Sequence, residues 1–458
     1  MTGGGAPGSK APSYRSASTI HALERGKKMT STQYKAVAEW AEQESILVTW
    51  PYEEFVWKDY SQLDVYLNVI KELEPVVKVL IQARGCDHEN ILETLREHDI
   101  PIVNIELVDF EPDTVIIKDG DEETFSPCAT LAWPRDYGAE VVMNDEGERA
   151  VISFNKCMWG VGGATVYHRE GAVTECVSRW HAKTVGIDTV LFTRLASEGG
   201  DREFNGAGVL LTTEETELNK RNPQYTKEEF EKEMKRLAGI EKILWVPRGT
   251  YDDEDCCDGP VPGPDNEITA FKAGGANCHM DEMARFCDEN TIVLGAITEE
   301  EAARYEIARL NKERLDEAYD YLSTQTNLDG KPFNIVRIPV PEVQYFVADF
   351  KGKDKNCLLA GYVGRTLETA AKDVEGELTF VAAQSYTNFI ITNKKVIAQQ
   401  YWSEGLPEVI KEKDAEALRV LGTCFPDRKV IGINTYALNI LGGGIHCFSR
   451  QIPKAVKK

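Results

Sequence analysis

The sequence predicts an α/β fold. Two observations carry that expectation. Short apolar runs of β type recur along the chain, and amphipathic helical stretches with clear start signals stand between them. The runs are 46–50, 78–83, 243–247, 291–297, 333–340, 389–392 and 429–434. Several stop at proline or glycine, as Trp50-Pro51 and Val246-Pro247-Arg248-Gly249 do. Thr226 with Glu229 forms a capping box, in which each side chain satisfies the other residue's free backbone N–H, and Phe230, Met234 and Leu237 then repeat on one helix face. Thr298 with Glu301 makes a second box ahead of a helix over 302–322. The endings Thr49-Trp50-Pro51, Trp245-Val246-Pro247 and Arg337-Ile338-Pro339 hint at an internal repeat.

One segment breaks the rhythm. Residues 251–277 open with Asp252-Asp253-Glu254-Asp255-Cys256-Cys257-Asp258-Gly259 and continue through Pro260, Pro262 and Pro264. This reads as a long inserted loop, expected to modulate specificity or to cover a site. Order is expected from about Ser31. The stretch 1–30 has no apolar centre, so it is not a secretory signal and reads as a disordered tail; the alternative is a transit peptide, since Lys10, Arg15, Arg25, Lys27 and Lys28 are offset only by Glu24. Residues 31–458 are expected to form a single catalytic domain.

Composition narrows the function. Hydrophobic residues make up 42% and aromatics 9% of 458 residues, enough for a core and too many for wholesale disorder. No apolar run approaches the roughly 18 residues that a membrane span needs. The 11 cysteines read as reduced thiols of a cytoplasmic protein, most of them small core residues. A net charge of −23, from 75 acidic and 52 basic residues, argues against a nucleic-acid surface and suits a small cationic substrate. A homo-oligomer is compatible with all of this.

Four motifs could carry chemistry. In Leu441-Gly442-Gly443-Gly444-Ile445-His446-Cys447, glycines allow close backbone approach just before a thiol. The alternative is a buried structural cysteine, with His446 as a packing residue. In Cys278-His279-Met280-Asp281-Glu282, His279 and Asp281 point to one face of an extended segment, as a proton shuttle beside a cation-gripping carboxylate would; a polar surface turn is the plain alternative. A zinc site from Cys256, Cys257, Cys278 and His279 matches no usual spacing. In Trp133-Pro134-Arg135-Asp136-Tyr137-Gly138, a ring could stack on a flat cation while Asp136 takes its N–H edge; an Arg135–Asp136 surface pair is the alternative. Glu198-Gly199-Gly200 puts a carboxylate on a permissive turn. Together they suit a guanidinium, which is planar, rich in N–H donors and matched edge-on by carboxylates. Its resonance-stabilised carbon calls for a strong nucleophile such as cysteine thiolate, and the departing nitrogen needs a proton that histidine can give.

In these motifs the chain resembles the agmatine deiminase and bacterial (Porphyromonas-type) peptidylarginine deiminase family. The resemblance runs from about Ala38 to Pro453. It adds Ala38-Glu39-Trp40, Gly206-Ala207-Gly208-Val209-Leu210-Leu211-Thr212-Thr213-Glu214, Arg221-Asn222-Pro223, Trp245-Val246-Pro247-Arg248-Gly249 and Ser385-Tyr386-Thr387-Asn388-Phe389 to the four motifs above. It implies a pentein fold, about five αβ modules set like propeller blades round a central channel that holds the active site. It implies that Cys447 attacks the guanidinium carbon, that His279 protonates the leaving ammonia and then activates water, and that Asp136 and Asp281 grip the guanidinium. Trp133, Glu198, Asn388, Gly443 and Gly444 would shape the substrate site. No metal or organic cofactor is implied.

The chain departs from the family pattern at three places. Cys278 replaces the usual glycine before the histidine, Ala139 replaces a proline after Gly138, and the 251–277 insertion precedes His279. These bear on substrate choice. Agmatine deiminase is the first expectation and a deiminase of peptidyl or free arginine the second. A catalytically weak cation-binding relative is the third, and the intact Cys447, His279, Asp136 and Asp281 argue against it.

Overall fold

The computed structural model describes residues 33–51, 56–57, 60–109, 118–119, 122–123, 133–157, 159–160, 169–255, 259–349 and 377–456. The expected tail, its boundary at Ser31, and Cys256 and Cys257 lie outside the described residues. One arrangement recurs five times among them: a central strand pairs antiparallel with a shorter strand, and a helix then crosses over to deliver a parallel partner on the other side. In the first module Gln43–Thr49 is central, Ser449–Pro453 antiparallel, Gln62–Leu73 the helix and Lys78–Ala83 the parallel strand. The second uses Glu140–Met143, Arg149–Asn155, helix Arg169–Thr184 and Val190–Ala196. The third uses Glu203–Phe204, Val209–Thr213, helix Lys227–Ala238 and Lys242–Val246. The fourth uses Ala284–Phe286, Thr291–Ala296, two helices and Asn334–Pro339. The fifth uses Ile390–Ile391, Lys395–Gln400, helix Glu408–Cys424 and Lys429–Asn434. A parallel pair cannot be joined by a tight turn, so each module needs its crossover helix. The hinted repeat is therefore architectural, and each of the three Pro-ended strand motifs marks a central or parallel strand.

The local signals explain the elements. The Thr226–Glu229 box opens Lys227–Ala238 and Gly239 closes it in the left-handed region at φ 65°, where glycine carries no Cβ penalty. Phe230, Met234 and Leu237 are fully buried. The Thr298–Glu301 box also forms, but the helix expected over 302–322 is two helices, Glu299–Arg304 and Glu306–Ser323, parted by an extended Tyr305. The Asn266 side chain accepts the Glu306 N–H at 2.8 Å and so starts the second helix from outside. Apolar periodicity runs straight through such a break, which is why the sequence reading missed it.

Residues 251–277 are not one loop. Val261–Pro262 and Ile268–Lys272 form an antiparallel pair, and Ile268–Lys272 lies parallel to Glu377–Val381 in a four-stranded sheet that ends at Tyr345–Asp349. Proline and glycine signalled a loop, yet Pro262 sits on the edge strand, where its missing N–H breaks no ladder. The acidic opening is no solvated run either, since Asp252 and Asp253 are buried.

The five modules share a further feature. The segment leading into each short antiparallel strand carries polar residues that are buried: 133–139, 198–202, 279–283, 385–389 and 444–448. Every sequence-predicted site residue lies on one of these segments or, for Gly443, one residue before. Among the described residues no helix is long and apolar enough to cross a membrane, and the described cysteines are free thiols.

Candidate active site

Pro134 opens a single helical turn, Pro134–Tyr137, that aims Asp136 inward. One Asp136 oxygen accepts the Gly200 N–H at 2.9 Å and the other accepts the Trp159 indole N–H at 2.6 Å. Arg135 and Asp136 are both buried, so the surface-pair alternative is excluded. Gly200 shows how tightly the segments converge. A Cβ there would lie 2.5 Å from His279 Nδ1 and 3.1 Å from both Asp136 Oδ1 and Asp281 Oδ1. Only glycine lets these three groups meet.

Cys447 is 3% exposed. Its sulfur takes an N–H from Asn388 Nδ2 at 3.1 Å, and Asp281 Oδ2 and Glu282 Oε1 stand 3.6 and 3.8 Å away. The glycine run makes this approach possible: a Cβ on Gly443 would strike the Trp133 ring at 2.8 Å, and one on Gly444 the Asn388 Oδ1 at 2.3 Å. Gly442 adds a φ of 104°. A cavity lined by Trp133, Asp136, Trp159, Gly275, Ala276, Leu441, Gly442 and Cys447 opens onto the thiol.

His279 lies fully buried between Asp136 at 3.7 Å from Nδ1 and Glu198 at 3.7 Å from Nε2. Those distances allow charge attraction but are too long for a hydrogen bond, and neither ring nitrogen has a hydrogen-bond partner among the described residues. Its backbone is braced instead. Asp253 accepts N–H groups from Ala276 at 2.6 Å, Cys278 at 2.9 Å and His279 at 3.0 Å. Glu198 is anchored by Arg221 Nε at 2.6 Å.

A model of the Porphyromonas-type peptidyl-arginine deiminase family matches residues 35–262 and 268–453. The chain belongs to that family. An agmatine deiminase from Medicago truncatula is 27% identical over 438 residues, covering 91% of this chain and 95% of the relative. A protein of Marinomonas sp. (strain MWYL1), provisionally named an agmatine deiminase, is 30% identical over 328 residues, or 70% of this chain and 73% of the relative. The agmatine deiminase structure from Enterococcus faecalis superposes with a TM-score of 0.67 at 23% identity, over 94% of this chain and all of that one, a likeness of fold.

The electrostatics of this family member separate its ionisable groups. Burial alone would push His279 down, but Asp136, Glu198 and Asp281 reverse that and raise it to about 10. Burial, then Asp281, Glu282 and Asp136, push the Cys447 thiol well up, so it is neutral at rest. Against the cost of burial, Arg221 and His279 hold Glu198 well below the usual carboxylate range. Asp281 is likewise held down by His446, whose Nδ1 lies 2.6 Å from Asp281 Oδ2. Glu39 takes the other nitrogen of His446 at 2.9 Å and pairs with Arg285 at 2.8 Å.

All nine sequence-predicted site residues gather here. Asn388 holds the sulfur, and Glu198 faces His279. Cys278 turns its sulfur toward Thr250 O at 3.9 Å and lies near Glu215 and Glu254, while Cys256 and Cys257 of the zinc grouping lie outside the described residues. The reading missed Trp159, Asp253, Glu282 and Glu39. Glu282 and Glu39 stood inside quoted motifs; Trp159 stood beside Gly160 without any neighbouring acid to mark it.

Proposed function

We propose that this chain is an agmatine deiminase, hydrolysing the guanidinium of agmatine to N-carbamoylputrescine and ammonia through a covalent intermediate on Cys447. The observation that carries the reading is the juxtaposition of a buried thiol with an Asp281 oxygen and two His279 nitrogens that have no hydrogen-bond partner among the described residues. An incoming guanidinium supplies the N–H donors these oxygens lack and the positive charge that opposes the carboxylates. Asp136 and Asp281 grip its edges, Trp133 and Trp159 flank its faces, and its charge favours the thiolate. Sulfur then adds to the central carbon. His279, protonated below about pH 10, gives its proton to the departing nitrogen, and ammonia leaves. Neutral His279 next takes a proton from water. Hydroxide adds to the thiouronium carbon, the C–S bond breaks with its electrons on sulfur, the added hydroxyl gives its proton to solvent, and the neutral carbamoyl product departs.

Agmatine is favoured over free arginine because a carboxylate substrate needs a free cation. Arg135 donates to His446 O at 3.2 Å and Gln451 at 2.7 Å, and Arg202 pairs with Glu140 at 3.0 Å. Relatives named agmatine deiminase align along most of the chain. The family description favours a peptidyl arginine as second reading. The closed five-bladed ring of the pentein fold also belongs to this proposal. Its support is that the lead-in segments touch in cyclic order: Arg135 N–H to Cys447 O, Gly200 N–H to Asp136, Glu198 to His279, Asn388 to Glu282, and His446 N–H to Asn388. The test is kcat/KM on agmatine, arginine, a blocked arginine amide and an arginine peptide. Agmatine should lead. A lead for the amide or peptide overturns the substrate and leaves the Cys447 chemistry standing.

A further inference from the structure

The mechanism above leaves one proton unassigned, the one on Cys447 itself. Asp281 is poorly placed to take it, because its Oδ2, the oxygen nearest the sulfur, is already held by His446 at 2.6 Å. His279 is occupied with the leaving nitrogen. Glu282 is the remaining neighbour. It is buried, its Oε1 lies 3.8 Å from Cys447 Sγ, and its Oε2 has no hydrogen-bond partner among the described residues. The Asn388 amide ties the two together, donating from Nδ2 to Glu282 Oε1 at 2.9 Å and to the sulfur at 3.1 Å. A buried carboxyl oxygen left unpaired is costly as an anion and far cheaper as an acid.

We propose that Glu282 is a further catalytic residue, the group that accepts the Cys447 proton when sulfur attacks and returns it when sulfur leaves. This rests on the deiminase reading and deepens it. At rest both groups are protonated: burial, then Asp281, Asp253 and Asp252, push Glu282 well up, while its neighbour Asp281 is held down. Adjacent carboxyls driven apart in this way take separate roles. The groups that act on Glu282 are Asp281, Asp252, Asp253, the Cys447 thiol and the Tyr401 phenol. Arrival of the substrate cation expels the Glu282 proton to solvent. As the C–S bond forms, the S–H bond breaks toward the Glu282 carboxylate and a C=N pair moves onto nitrogen. When hydroxide later displaces sulfur, the thiolate recovers that proton, and Glu282 regains its own from solvent as the product leaves. His279 and Glu282 thus run separate proton cycles, one for nitrogen and water, one for sulfur.

Glu282→Gln keeps the shape and an oxygen for the Asn388 N–H, so the pocket should survive. It is compared with wild type in two assays on the full chain: ammonia release from the four guanidines, and alkylation of Cys447 by iodoacetamide across pH 6–10. Turnover should fall roughly 10²- to 10⁴-fold, the usual weight of general acid–base catalysis. Alkylation should run at about the wild-type rate, because Glu282 is a neutral acid in the free enzyme and the variant removes no charge beside the thiol. Turnover within three-fold of wild type overturns the assignment. So does a parallel loss in both assays, which would mean that Glu282 only packs the site. A wild type that releases no ammonia from any of the four guanidines sinks the deiminase reading, and this assignment with it.

Discussion

His279 and His446 are both buried and both stand between two carboxylates, yet their surroundings differ by about one ångström. His446 has its nitrogens 2.6 Å from Asp281 and 2.9 Å from Glu39, each within hydrogen-bond range. His279 has its nitrogens 3.7 Å from Asp136 and Glu198, each outside it. The first ring is locked by contacts at both nitrogens, which makes it a strut that orients Asp281 and helps to hold that carboxyl down. The second has the charge attraction without the bonds, so it stays protonated but can still turn a proton toward a ligand. In the proposed mechanism the residue beside the thiol in sequence is thus the fixed one, and the distant one is the proton carrier.

The sharpest break of this comparison removes the thiol proposed as nucleophile. Cys447→Ala should reduce ammonia release from agmatine to background with the melting temperature little changed; retained turnover would point to another cysteine. Next in size, His279→Asn should lower kcat by roughly 10²–10⁴-fold with a smaller effect on KM. Wild-type speed in that variant would move the proton role to His446. Asp136→Asn and Asp281→Asn each leave a cation underpaired in a shielded site, worth roughly 3–5 kcal/mol when a buried pair is broken. Steady-state kinetics should show kcat/KM down by orders of magnitude in both, and near-normal kinetics would remove that residue from the clamp. His446→Gln should act more weakly on turnover and more strongly on stability, because Asp281 and Glu39 both lose a partner. Denaturant unfolding beside kinetics separates the two effects; a kcat loss matching that of His279→Asn with unchanged stability would erase the distinction.

The smallest effect concerns pH. A histidine raised to about 10 in the fold stabilises it fully below its unfolded value of about 6.5, and that contribution is lost as pH climbs through about 10. Wild type should therefore lose stability between pH 7 and 10 more steeply than His279→Asn. Parallel melting curves across that range would mean that His279 is neutral in the folded protein.

The difference between the two histidines also marks what sequence could and could not reveal. Alternating runs and two capping boxes disclosed the αβ rhythm, because they are local signals. The strand at Ile268–Lys272 stayed hidden because its partner, Glu377–Val381, is far along the chain and the prolines before it looked like loop. In the site, Cys447, His279, Asp136 and Asp281 were legible because each sits in a short motif with one chemical purpose. Asp253 was legible only as an acid. That it braces three backbone N–H groups ahead of His279 depends on a turn that no spacing reveals. Likewise nothing in Glu39 announced that it would reach His446 from the opposite end of the chain.

The most direct test of the whole account is rapid quenching of wild type with agmatine labelled at the guanidinium carbon, followed by peptide mapping. Within the first turnovers the label should appear on the peptide that contains Cys447 and then decay as N-carbamoylputrescine accumulates. Ammonia released over the same interval with no labelled protein, or with the label on any other residue, would contradict it.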